Sequence, residues 1–197
     1  MQGADPLASA PGSDTVVLAG GCFWGMQAVF QHVHGVHRAI SGYAGGEGST
    51  AQYESVGTGQ TGHAESVQLT FDPSQVSLAQ LLRIYFSVAH DPTQVNRQGP
   101  DQGSQYRSAI FYHDDHQALL ARRYVAQLEN GHYFGAPIAT QILPLKGFYA
   151  AEAYHQDYAT LHPDSGYIAR FDLPKLEHLR QLFPRDWMDK PVLVSQH

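Results

Sequence analysis

A single cysteine, Cys22, most narrows what this 197-residue chain can become. One thiol closes no internal disulfide. Secreted scaffolds that stand on such bridges are therefore excluded, and so is a zinc site built from cysteines. The fold must be held by apolar burial. The composition allows this, because 43% of the residues are hydrophobic and they run along the whole chain, which rules out wholesale disorder. The length suits one domain, or two small ones. Twelve basic residues against eighteen acidic ones give a net charge of -6, without the basic stripe that non-specific nucleic-acid binding needs. No apolar run approaches the roughly 20 residues that span a bilayer. The stretch from Leu78 to Ala89 is broken by Gln80, Arg83 and Ser87. The first fourteen residues lack the basic start and apolar centre of a signal peptide. The expectation is a soluble, cytoplasmic monomer with no nucleic-acid or membrane partner.

Residues 1–14 read as a loose N-terminal tail, 15–183 as a single domain and 184–197 as a C-terminal tail. Thr15 to Ala19 reads as a short buried strand, ended by Gly20 and Gly21. From Cys22 to about His32 the apolar spacing fits a helix. Val36 to Tyr43 fits a second strand, and the glycine-rich stretch from Gly42 to Gly62 a loop. From Ala64 to Phe71, Val67, Leu69 and Phe71 alternate with polar residues, the pattern of a strand. Ser77, with Gln80 three residues on, opens a helix that Asp91-Pro92 closes. Residues 91–105 read as a polar loop, Arg107 to Tyr112 as a strand and Asp114 to Asn130 as a helix. Pro137 to Leu145 is expected as a strand, with helices over Ala150–His162 and Leu173–Phe183. The order matches the β-α-β-β-α-β core of ferredoxin-like α+β folds, with extra C-terminal helices.

Cys22 follows a strand and two glycines and starts a helix. Backbone N–H groups at a helix N-terminus favour a thiolate, so a lowered thiol pKa is expected there. An inert buried thiol is the other reading of a lone cysteine. Phe23 and Trp24 are either core aromatics or an apolar pocket for a methyl or thioether group. Glu65 shares the parity of Val67, Leu69 and Phe71, so its carboxyl points with the buried set. Burial raises a carboxyl pKa and makes a proton donor near neutral pH. The alternative is a solvated Glu65 at a frayed strand end. Gly57-Thr-Gly-Gln-Thr-Gly62 fits G-x-G-x-x-G, but a strand follows it instead of a helix, which argues against a dinucleotide site. Glu152 and His155 have the spacing of one half of a carboxylate metal site, without the second half. With twelve histidines scattered as solvated or core residues, no metal site is expected.

Gly21-Cys-Phe-Trp-Gly25 resembles the active-site signature of the peptide methionine sulfoxide reductase A family. Thr61-Gly-His-Ala-Glu65, the stretch from His90 to Ser108, and Ala151-Glu-Ala-Tyr-His-Gln-Asp-Tyr158 are similar to three further motifs, in the family's order, across about residues 15 to 160. The resemblance implies a two-layer α+β sandwich and thiol-dependent reduction of methionine S-sulfoxide in proteins and peptides. It implies a single catalytic domain with Cys22 as the nucleophile and Glu65 as proton donor to the sulfoxide oxygen. Tyr53 and Tyr106 would place hydroxyls on that oxygen, Asp101 would organise the pocket, and Phe23 and Trp24 would hold the substrate methyl. Many members carry further cysteines in the C-terminal tail, and the tail here has none. No bound cofactor is expected. An external thiol, glutathione with glutaredoxin or else thioredoxin, would clear the sulfenic acid left on Cys22. A module that only captures oxidised methionine and a thiol redox sensor are the competing readings.

Overall fold

The computed structural model describes residues 12–196. Most of the expected N-terminal tail, residues 1–11, lies outside the described residues. In chain order the elements are β1 (Asp14–Gly20), α1 (Phe23–Gln31), β2 (Val36–Ala44), α2 (Tyr53–Gly57), β3 (Ala64–Phe71) and α3 (Leu78–Ile84), which runs on into a wider turn to Ala89. They continue with β4 (Arg97–Gln98), β5 (Asp101–Gln102), β6 (Ser108–Tyr112), α4 (Asp115–Asn130), β7 (Gln141–Pro144), β8 (Phe148–Ala150), α5 (Tyr158–Leu161) and α6 (Leu173–Leu182). Two helix starts follow the capping chemistry written in the sequence. Ser77 accepts from the Gln80 N–H at 3.0 Å, and Asp114 from the Gln117 N–H at 2.8 Å.

Six strands form one sheet in the order β7-β6-β1-β3-β2-β8. All its pairs are antiparallel except β6 with β7. The fold is therefore mixed α and β. Alternate residues divide the sheet into two apolar faces. Val16, Leu18, Val67, Leu69, Phe71 and Ile110 meet α1, α3, α4 and α6 in the main core. Val17, Ala19, Ile40, Ala64, Ala109 and Phe111 form the second face. Leu143, Leu145, Phe148 and Val194, all from outside the helices, cover that face. Of the methionines, Met26 is 1% exposed in the main core and Met188 is half-buried.

Four local expectations differ from the structure. The helix expected over Ala150–His162 is two short turns, Ala153–His155 and α5. Between them Asp157 takes a left-handed φ of 60°, which breaks a continuous helix. The Gly42–Gly62 loop contains the short helix α2, and the 91–105 loop a small hairpin of β4 with β5. Residues 184–196, expected as a tail, are strapped to the body. The Met188 N–H donates to His32 O at 2.8 Å and the Val192 N–H to Gln31 O at 3.0 Å. The Val194 and Ser195 N–H groups donate to the two oxygens of the Asp157 carboxylate at 2.9 and 3.0 Å. Trp187 stacks flat on His32, ring centres 4.5 Å apart. The stretch gave no sequence signal of this docking, because its apolar residues show no helix or strand period and backbone groups make most of the hydrogen bonds.

Candidate active site

Gly20 ends β1 and Gly21 turns the chain at φ 91°. The missing Cβ at Gly21 also leaves room for the side chain of Gln98, which packs directly against it. Cys22 then sits at the N-cap of α1 and takes a backbone hydrogen bond from Trp24. That is the helix-end position expected of a reactive thiol. Its pKa nonetheless moves the other way. Burial pushes the Cys22 thiol up, and the charges of Glu65, Asp172 and Asp101 add to it, outweighing the lowering by the Trp24 N–H. In the free protein Cys22 is a thiol.

Glu65 is 3% exposed on β3, so the frayed, solvated alternative does not hold. Its Oε1 accepts from the Phe23 N–H at 3.2 Å, which places the carboxyl beside the residue next to Cys22. Burial, with help from Asp101, pushes its pKa up to about 8, against the lowering effect of that N–H. At neutral pH it therefore carries a proton. Tyr53 opens α2 and Tyr106 ends the short turn Ser104–Tyr106. Burial first and the Glu65 charge second raise both phenols. Neither hydroxyl has a hydrogen-bond partner among the described residues. Asp101 accepts from the Tyr167 hydroxyl at 2.5 Å. A cavity of about 80 Å³ lies against Cys22, bounded by Gln98, Asp101, Tyr167, Phe171 and Lys175 among others.

The two aromatics after Cys22 differ. Phe23 is fully buried, its ring 5.7 Å from Tyr43 and 5.1 Å from His155. Trp24 is half-buried and stacks on Tyr158 at 3.9 Å, with Tyr167 edge-on at 5.8 Å. Its indole N–H donates to His155 Nδ1 at 3.1 Å. The structure thus brings Cys22, Phe23, Trp24, Tyr53, Glu65, Asp101 and Tyr106 into one neighbourhood from five segments of the chain.

Sequence reasoning missed several members of this neighbourhood. His155, read as solvated or core-satisfied, is 1% exposed and holds Trp24, with Tyr53 4.3 Å from its ring. Glu152 accepts from the Tyr43 hydroxyl at 2.8 Å and from the Tyr53 N–H at 3.0 Å, so it fixes the start of α2. In their E-x-x-H spacing, Glu152 holds Tyr43 and Tyr53 while His155 holds Trp24. Tyr158 closes the motif from Ala151 but was given no role there, and Tyr167, Asp172 and Lys175 carried no pattern at all. Among the described residues no three His, Cys, Asp or Glu side chains are grouped to hold a metal ion, and no helix is long and apolar enough to cross a membrane. Two larger hollows, of about 350 and 710 Å³, lie around Leu128 and Phe134 beyond α4 and share none of the residues above.

Known proteins resemble this chain in sequence and in fold. The family model described as peptide methionine sulfoxide reductase matches residues 14–186. A curated relative from Mesorhizobium japonicum, named peptide methionine sulfoxide reductase MsrA 2, is 58% identical over 186 residues, 94% of this chain and 95% of the relative. Mxr1 from Saccharomyces cerevisiae in reduced form superposes with a TM-score of 0.74 at 35% identity, covering 81% of this chain and 91% of that one. A structure of Mxr1 in complex with Trx2 superposes with a TM-score of 0.53 at 25% identity, over 77% of this chain and 89% of that one. The match runs from β1 through α6 and takes in every residue gathered around Cys22, so this chain belongs to the peptide methionine sulfoxide reductase family and reduces methionine sulfoxide in peptides and proteins.

Proposed function

We propose that the residues around Cys22 divide the reduction between them as follows. The substrate methyl lies against Trp24 and Phe23, and Asp101 with its Tyr167 partner shapes the pocket. The sulfoxide oxygen accepts from the Glu65 carboxyl and from the Tyr53 and Tyr106 hydroxyls. Cys22 Sγ attacks the sulfoxide sulfur while Glu65 delivers its proton to the oxygen, turning a poor leaving group into a good one. The oxygen ends on Cys22 as a sulfenic acid, and the substrate sulfur departs as the thioether of methionine. Sulfur of the substrate gains two electrons and sulfur of Cys22 loses two. The thiol proton replaces the one Glu65 gave. The S epimer at sulfur is the substrate form this reading takes from the family resemblance.

The observation that carries this reading is a buried Glu65 held neutral, with its pKa at about 8, one residue from the thiol along a hydrogen bond of 3.2 Å. A single-turnover assay of Glu65→Gln on an S-sulfoxide peptide tests it, with the R epimer alongside.

Recycling needs an outside thiol, because Cys22 has no second cysteine to condense with. Glutathione with glutaredoxin fits a lone sulfenic acid, since a thiol attacks it to give a mixed disulfide and water and a second thiol clears that disulfide. Thioredoxin is the other candidate, supported by the Mxr1 complex with Trx2. A thiol-dependent cycle fits the reducing cytoplasm, and a monomer suffices, because every group named comes from one chain. The chain order β6-β1-β3-β2 with α1 and α3 as crossovers supports the ferredoxin-like description of the core and one catalytic domain over residues 15–183.

A further inference from the structure

Asp172 is the buried charge that the reaction just described leaves unused. It stands at the start of α6, 1% exposed, and neither of its carboxylate oxygens has a hydrogen-bond partner. Its one neighbour of opposite charge is Lys175, one turn further on, with Nζ 3.6 Å from Oδ1. The carboxylate rests on the first turn of α1. Gly25 is the reason it can, because a Cβ there would collide with Asp172 Oδ1 and press on Lys175 Nζ. Gly25 lies three residues after Cys22 in the first turn of α1, and the Asp172 charge acts on the Cys22 sulfur. Lys175 also lines the cavity that holds Cys22. A carboxylate at a helix N-terminus competes with a thiolate for the positive end of the helix, and a buried carboxylate without a counter-charge is costly.

We propose that Lys175 is a positioning residue for the reaction: by pairing with the buried Asp172 on the first turn of α1, it offsets a negative charge that would otherwise press on the Cys22 nucleophile. Leu176 and Leu179 seat α6 on the core, and that packing brings the lysine over Gly25. Other groups face Cys22 from the elements around it. Glu65 comes from β3, Asp101 from β5, Tyr53 from α2, Tyr106 from the turn before β6 and Tyr167 from the turn before α6. His90, packed behind Gly20, is kept neutral by burial, its pKa lowered to about 4. Among the described residues, Lys175 is thus the one cation set against a cluster of acids and phenols. Asp172 itself is raised to about 6 by burial, a rise that Lys175 limits.

The test is the pH dependence of Cys22 alkylation by iodoacetamide in the free full-length protein. The thiolate displaces iodide and forms an S–C bond, so the rate follows the thiolate fraction. Lys175→Met is expected to move the midpoint up by about one pH unit, a tenfold slower reaction at a fixed pH below it. Lys175→Arg keeps the charge and stays near wild type. Asp172→Asn moves the midpoint down. If Lys175→Met does not fold, Asp172→Asn alone carries the test, with the double variant above it and no higher than wild type. A folded Lys175→Met with the wild-type midpoint, Lys175→Arg shifting as far as Lys175→Met, or Asp172→Asn without a downward shift would each overturn the proposal. The inference rests on Cys22 as the nucleophile. Because alkylation involves no sulfoxide, failure of that assignment shows instead in turnover by Cys22→Ser and leaves the alkylation profile unmoved.

Discussion

The protonation state of Glu65 ties the chemistry of the site to its stability. Burial lifts its pKa to about 8 from an unfolded value near 4.5, so the folded chain keeps a proton that the unfolded chain releases between those values. The contribution is fully present below about pH 4.5 and is lost as pH rises toward and through about 8. The same proton serves the reaction. The single-turnover rate is expected to fall above about pH 8, and Glu65→Gln to remove that limb. That variant is expected to slow reduction by about 100- to 10,000-fold, the usual size of lost general-acid help. A rate within about twofold of wild type would falsify the role given to Glu65. Cys22→Ser is expected to abolish thiol-dependent turnover with the circular dichroism spectrum unchanged. Glu65 was legible because a strand repeats every two residues and the carboxyl shares the parity of Val67 and Leu69. The state of Cys22 was not. Its position at a helix end could be read from two glycines, but the burial that reverses its expected shift is built by the tertiary fold, and the carboxylates that add to it lie 43, 79 and 150 residues away in sequence.

At the level of elements, the strands and capped helices follow from local chemistry, and the segments 150–162 and 184–196 do not. β3 covers the residues its alternation marked, and α4 starts where Asp114 caps it. Residues 150–162 misled because helix-favouring residues surround Asp157, whose backbone is set by partners far away. Its carboxylate receives the Gln31 amide as well as the strap's Val194 and Ser195 N–H groups, and its own N–H donates to Gln27. Asp157→Asn tests what this anchor is worth. Asparagine tolerates the left-handed backbone, but its amide nitrogen cannot accept, so at least one strap N–H is left facing a donor. A loss of about 1–3 kcal/mol is expected in urea unfolding. Wild-type stability in this variant would mean that the strap is held by Trp187 on His32 and by its hydrogen bonds to α1 alone.

For the whole molecule, the absence of a second cysteine makes the catalytic cycle open to solvent. After one turnover without reductant, mass spectrometry is expected to find one added oxygen on the protein, trapped by a sulfenic-acid reagent. After glutathione is added, it is expected to find one glutathione on Cys22. A disulfide-linked dimer as an obligatory intermediate would mean that two molecules recycle each other. The strap bears on this, since residues 192–195 are tied to the far end of α1 from Cys22. The placing of the methionines has its own consequence, for the durability of an enzyme that works among oxidants. Sulfoxide formation at Met26 would put a polar group into the main core, but that side chain is sealed beneath the end of β1, with its sulfur against Gly20. Peroxide therefore reaches Cys22 before it reaches Met26, and of these two sulfurs Cys22 is the one that an ordinary thiol can restore.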